Sequence, residues 1–107
     1  MNKDYLLLKN MYSLLDAGYS IEETLSLCQQ MLHHPAIHEM LKQLDHGESI
    51  ETVLLQSSLP HLFQEYFRFF QNKNCLSEAI KISINLSLYI NDIFISFLVI
   101  CCFGFIA

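Results

Sequence analysis

The chain is 107 residues long, 52% hydrophobic, and carries a net charge of −5 from 11 acidic and 6 basic side chains. That length holds one domain at most, and so few basic residues exclude a nucleic-acid surface, whose affinity comes mainly from neutralising phosphates. With only 3 Gly and 2 Pro it is neither disordered nor loop-dominated.

A first helix is predicted over about Asp4 to Asp16, where Leu8, Met11, Tyr12 and Leu15 repeat at i, i+3, i+4 and i+7 as a buried stripe. Asp4 and Lys9 interrupt the apolar residues there, and no small-residue cleavage pattern follows, so the start does not read as a signal peptide. Next comes a phrase that the chain uses twice. Gly18-Tyr19-Ser20-Ile21-Glu22-Glu23-Thr24-Leu25 recurs as Gly47-Glu48-Ser49-Ile50-Glu51-Thr52-Val53-Leu54, both of the form G-x-S-I-E-x-x-L. Glycine can take the left-handed conformation that closes a helix. The serine two residues on can cap the next helix, worth about 1 kcal/mol. The glutamates suit the positive end of the helix dipole, and Ser20 with Glu23 has the spacing of a capping box. Each copy therefore stops one helix, turns within two residues and starts another, which sets the two helices antiparallel.

The second helix is predicted from Ile21 to Leu32, with Ile21, Leu25, Cys28 and Leu32 on one face, and His33-His34-Pro35 breaks it. A third, about Pro35 to Asp45, carries Ile37, Met40, Leu41 and Leu44; a short fourth runs to about Gln56. After Ser57-Ser58-Leu59-Pro60, a fifth helix over about Pro60 to Gln71 is aromatic, with Phe63, Tyr66, Phe67 and Phe70 at helical spacing. Asn72-Lys73-Asn74 reads as a turn, because Asn tolerates the left-handed conformation. The sixth helix starts near Leu76 or Ser77 and is amphipathic to Asp92, with Ile82, Leu86, Tyr89 and Ile93 along one side. From Ile93 to Ala107 no charge occurs, and only Ser96 and Gly104 break the apolar run. A full membrane span needs about 20 apolar residues. The run is shorter, but no polar flank ends it. A small acidic domain has nowhere else to hide Phe94, Phe97, Phe103 and Phe105. The expected architecture is all-α: a small antiparallel bundle of about six helices over residues 1–90, with residues 91–107 beginning a transmembrane helix. Arg68, Lys73 and Lys81 precede that run and favour its N-terminal side as cytoplasmic.

These residues resemble the F-type platform domain of type II secretion systems, type IV pili and the DNA-uptake pseudopilus of competent bacteria. That family shows an Ala-Gly turn before one helix, a Gly-x-Ser turn before another, a Pro-opened helix, a Gly-Glu-x-x-Gly-x-Leu-x-x-x-Leu segment and then a membrane span. Ala17-Gly18 with Ile21 and Leu25 match the first element; Gly47, Ser49, Ile50 and Leu54 match the second; Pro60 matches the third. The fourth departs: Phe70-Gln71 stand where Gly-Glu is usual and Asn74 where Gly is usual, while Leu76 and Ile80 fit. The resemblance covers about Tyr5 to Leu88 and looks most like the competence member of Gram-positive bacteria. It implies a cytoplasmic helical domain fixed to the inner membrane, without catalysis or cofactor. It would couple an assembly ATPase to pilin addition, touching pilin-type or platform subunits and other copies of itself. The family carries two such domains and about three spans, so this chain reads as a fragment or a shortened member.

Other chemistry is weaker in the sequence. His38-Glu39 would begin a zinc-binding H-E-x-x-H helix, but Lys42 stands at its last position, so His33, His34 and His38 read as surface loop histidines. Ser20 and Ser49 read as caps rather than nucleophiles, and the Phe-rich helix as core. Glu22, Glu23, Glu48 and Glu51 read first as dipole complements and second as a patch for a basic partner. Of the 4 cysteines, Cys28 and Cys75 stand alone and Cys101-Cys102 sit in the apolar run, with no zinc or dithiol spacing; free thiols fit a reducing compartment. Two other classes compete. A stand-alone single-span helical protein of immunity or regulatory type would usually be basic. A helix-turn-helix DNA binder would need a recognition helix with more than two Lys or Arg, and no predicted helix has one.

Overall fold

The computed structural model describes residues 3–104, with side chains through residue 90. Its elements are α1 Lys3–Asp16, α2 Ile21–Leu32, α3 Pro35–Asp45, α4 Ile50–Gln56, α5 His61–Phe70 and α6 Leu76–Gly104, with no strand among the described residues. Each helix packs on the next in sequence, and α6 also packs on α1, so the six close into a ring. Inside it lie Leu7, Met11, Leu25, Ile37, Met40, Val53, Leu54, Phe63, Phe67, Ile80 and Ile84, all essentially inaccessible to solvent. Burying one such side chain contributes roughly 1.5–3 kcal/mol, so this shared core rather than any single turn holds the ring.

Both repeated turns have the conformation their residues dictate. Gly18 and Gly47 are left-handed, at φ 102° and 90°. Gly18 N–H donates to Leu15 O and Tyr19 N–H to Leu14 O; Gly47 N–H donates to Leu44 O and Glu48 N–H to Gln43 O. These paired bonds satisfy the last carbonyls of α1 and α3 in a Schellman arrangement. Ser20 and Ser49 are extended and cap α2 and α4, accepting from Glu23 N–H at 3.1 Å and Thr52 N–H at 3.3 Å. Only this half of the Ser20–Glu23 box is present among the described hydrogen bonds.

Two side-chain contacts between elements fix helix directions. Asp16 ends α1 and meets Lys81 near the start of α6 at 3.8 Å, so α1 and α6 run antiparallel. Asp4, at the start of α1, meets His34 just beyond α2 at 2.7 Å, so α1 and α2 are antiparallel too. The α1–α2 turn therefore lies at the end of the bundle where α6 begins.

The structure corrects three expectations about the helices. Pro60 is the N-cap residue of α5 rather than its first helical residue, and α5 ends at Phe70. Asn74 is not left-handed; Lys73 and Asn74 N–H both donate to Phe70 O in a right-handed turn. Among the described residues the left-handed non-glycine is His33, at φ 50°, whose N–H closes α2 on Gln29 O. The buried side of α6 is Ala79, Ile80, Ser83, Ile84 and Ser87, while Ile82 and Leu86 are half-buried and Tyr89 is 61% exposed. This side packs on α1 and α5 and mixes the isoleucines with Ala79 and two serines. Ser83 meets that burial by donating its hydroxyl to Ala79 O at 2.7 Å. Among the described residues no helix is long and apolar enough to cross a membrane. The side chains expected to enter a membrane over 91–107 lie outside the described residues.

Candidate functional site

Glu22 and Glu23 occupy the first turn of α2, and Glu51 that of α4, where the helix dipole favours their charge. Glu48 sits in the turn before Ser49, and all four are exposed. Among the described residues none of them joins an ion pair. Asp16 and Glu78 pair with Lys81 and Glu65 with Arg68, while Asp4 and Glu65 also contact the rings of His34 and His61. Glu78 beside Lys81, at 3.1 Å, holds that ammonium above the usual lysine range. No Lys or Arg occurs between Lys9 and Lys42, so α2 and its flanking turns are acidic without internal compensation.

Tyr19, Glu22, Glu23, Ser26 and Leu27 line an open depression of ≈ 400 Å³ beside the α1–α2 turn. No residue of the second phrase lines it, because α3 packs between α2 and α4. Of the four glutamates, Glu22 and Glu23 line the depression and Glu48 and Glu51 do not.

The histidines divide. His33 and His38 are exposed, as expected, whereas His34 is buried. Its Nδ1 accepts the Ala36 N–H at 3.1 Å and caps α3. The ring proton therefore sits on Nε2, which donates to Asp4 Oδ1 at 2.7 Å. His34 is a fastener between α1 and α3, not a surface loop residue. Among the described residues no group of three or more His, Cys, Asp or Glu is placed to hold a metal ion. Ser20 and Ser49 spend their oxygens on caps. The aromatic stripe of α5 is core: Phe63 and Phe67 are fully buried and stack at 5.7 Å between centroids. Phe69 points outward, 57% exposed, with Lys73 Nζ 4.0 Å from its centroid. Cys28 is buried, which pushes its thiol up to about 11, while Cys75 is exposed.

Sequence reasoning missed His34, whose partner lies 30 residues away, and the depression, whose only sequence signal was Tyr19 between Gly18 and the Ser20 cap. Comparison with protein-family models, with curated proteins and with solved structures found no match.

Proposed function

We propose that the chain is a non-catalytic platform component of a pilus-type assembly machine of the type II secretion, type IV pilus or competence class. In this reading its helical domain faces the cytoplasm and its last helix enters the inner membrane. It couples an assembly ATPase to pilin addition and works alongside pilin-type or platform subunits and further copies of itself. The observation that carries the reading is the repeated Gly-x-Ser turn: two left-handed glycines and two serine caps, in order and followed by a Pro-capped helix. Two further features support it. The uncharged run from Ile93 to Ala107 suits an anchor. The unpaired Glu22 and Glu23 lie at the end of the bundle where α6 begins, away from that run, and so on the side an anchored domain turns to the cytoplasm.

The stand-alone single-span reading is favoured by one observation. The fourth family element is degraded in sequence, and Asn74 does not take the left-handed turn that a glycine there would serve. Deleting the gene and assaying pilin on the cell surface separates the two. Loss of surface pilin, restored by the wild-type chain, supports the platform; undisturbed assembly after deletion removes it.

A further inference from the structure

We propose that the depression on the outer face of α2 is the docking groove itself. Its occupant is an apolar side chain flanked by Lys or Arg on a helix of a partner protein. The inference rests on the platform reading for the identity of the partner, but the surface and its chemistry are argued from the molecule alone.

The groove follows one helix. Glu23 and Leu27 lie one helical turn apart, as do Glu22 and Ser26 on the adjacent ridge, and Tyr19 joins them from the turn before the Ser20 cap. Such spacing matches the i, i+4 side chains of a second helix laid alongside. The floor is apolar at its two ends: Tyr19 is 42% exposed and Leu27 half-buried. Met31, a further turn along, is 55% exposed and extends the apolar ridge. An exposed Tyr suits this role, since its rigid ring gives contact area at little entropic cost and its hydroxyl stays wet.

Charge decides the occupant. Glu22 and Glu23 line the depression between its apolar ends and have no ion-pair partner among the described residues. The surrounding stretch from Asn10 to Leu41 holds no Lys or Arg. A second copy of this chain, at net charge −5, brings like charge to the same place. An anionic lipid surface is repelled for the same reason. A basic helix is attracted at distance and seated by the apolar contact, so both charge and an apolar knob are needed.

The test uses the full chain in detergent micelles and three synthetic helical peptides: one with leucines flanked by lysines, one with leucines flanked by glutamates, and one with serines flanked by lysines. The first should bind at least tenfold more tightly than either other. Leu27→Glu and the pair Glu22→Gln with Glu23→Gln should each weaken it about tenfold, while Glu48→Gln with Glu51→Gln changes it less than twofold. All these positions except Leu27 are exposed, and Tyr19→Ser serves as a second apolar variant should Leu27→Glu lose helicity. Equal binding of the serine-lysine peptide would reduce the groove to bulk electrostatics and overturn the proposal. So would equal sensitivity to the Glu48 and Glu51 changes, or self-association of the chain that Leu27→Glu abolishes. Repeating the series with the cognate ATPase keeps the two readings apart. Capture that ignores Tyr19, Leu27, Glu22 and Glu23 removes the groove but leaves the platform; no capture by any variant, with peptide binding intact, removes the platform but leaves the groove.

Discussion

Replacing His34 tests the long-range wiring of the bundle most sharply, because its two nitrogens do separate jobs that different substitutions remove separately. Losing the Nδ1 cap on Ala36 costs about 1 kcal/mol, as for other N-caps. The Nε2–H bond to the Asp4 carboxylate is charge-assisted; fully buried, such a bond contributes about 1.5–3 kcal/mol. Asp4's side chain is 44% exposed, so solvent screening brings this to about 1 kcal/mol. His34→Ala should therefore cost about 2–3 kcal/mol including lost packing, against a total stability of about 5–10 kcal/mol for a domain of this size. His34→Asn restores a good N-cap but cannot reach Asp4, and should cost only about 1 kcal/mol. Denaturant midpoints of the full chain in a non-denaturing detergent give these values. A double-mutant cycle with Asp4→Ala isolates the pair from Asp4's other contacts and should return a coupling of about 1 kcal/mol. Zero coupling, or His34→Asn as damaging as His34→Ala, would refute the two-job assignment.

Further outcomes follow from the turns, the thiols and the last helix. A Cβ on Gly18 or Gly47 meets nothing within 4 Å. Gly18→Val and Gly47→Val should thus cost only backbone strain, roughly 1–2 kcal/mol each, and unchanged midpoints would mean the left-handed turns are misplaced. Ser20→Ala and Ser49→Ala should each cost about 1 kcal/mol in the same assay. Alkylation mapped by mass spectrometry should label exposed Cys75 in the folded chain and buried Cys28 only after denaturation. Folding raises the Cys28 thiol from 9.0 to about 11, so the unfolded chain loses that proton first. Stability contributed by Cys28 is whole below pH 9 and declines towards pH 11, a slope that Cys28→Ala should remove relative to the wild type. The full chain should need detergent, while a chain ending at Leu88 should not; a full chain monodisperse in plain buffer would remove the anchor.

Local chemistry was readable and distant packing was not. The bounds of α2, α3 and α4 are set by residues next to them in sequence: Gly18 and Ser20, Pro35, Gly47 and Ser49. Where tertiary geometry sets a turn, the sequence is a poorer guide. Asn74 looked left-handed, but Lys73 and Asn74 N–H both close right-handed on Phe70 O, whereas His33 is left-handed because the two-residue link to Pro35 excludes a helical His34. Hydropathy put Ile82, Leu86, Tyr89 and Ile93 along one side of α6, whereas the side turned to α1 and α5 carries Ile80 and Ile84 with Ala79, Ser83 and Ser87. Counting apolar side chains measures transfer from water and carries no information on how closely helices approach. The His34–Asp4 bond joins residues from separate helices and has no sequence signature. For the candidate site, the acidic residues were visible as a pattern. The depression beside Glu22 and Glu23 was not, because it depends on how the α1–α2 turn packs beside α2.

Capture of the cognate assembly ATPase by the full detergent-solubilised chain, at low and high ionic strength, bears most directly on the platform role. Binding at low salt that weakens as salt rises is the predicted result, since the attraction lies between exposed charges. Reversing Glu22 and Glu23 to Lys should abolish most of that capture while leaving helicity unchanged. A folded chain that fails to capture the ATPase at any ionic strength would contradict the role.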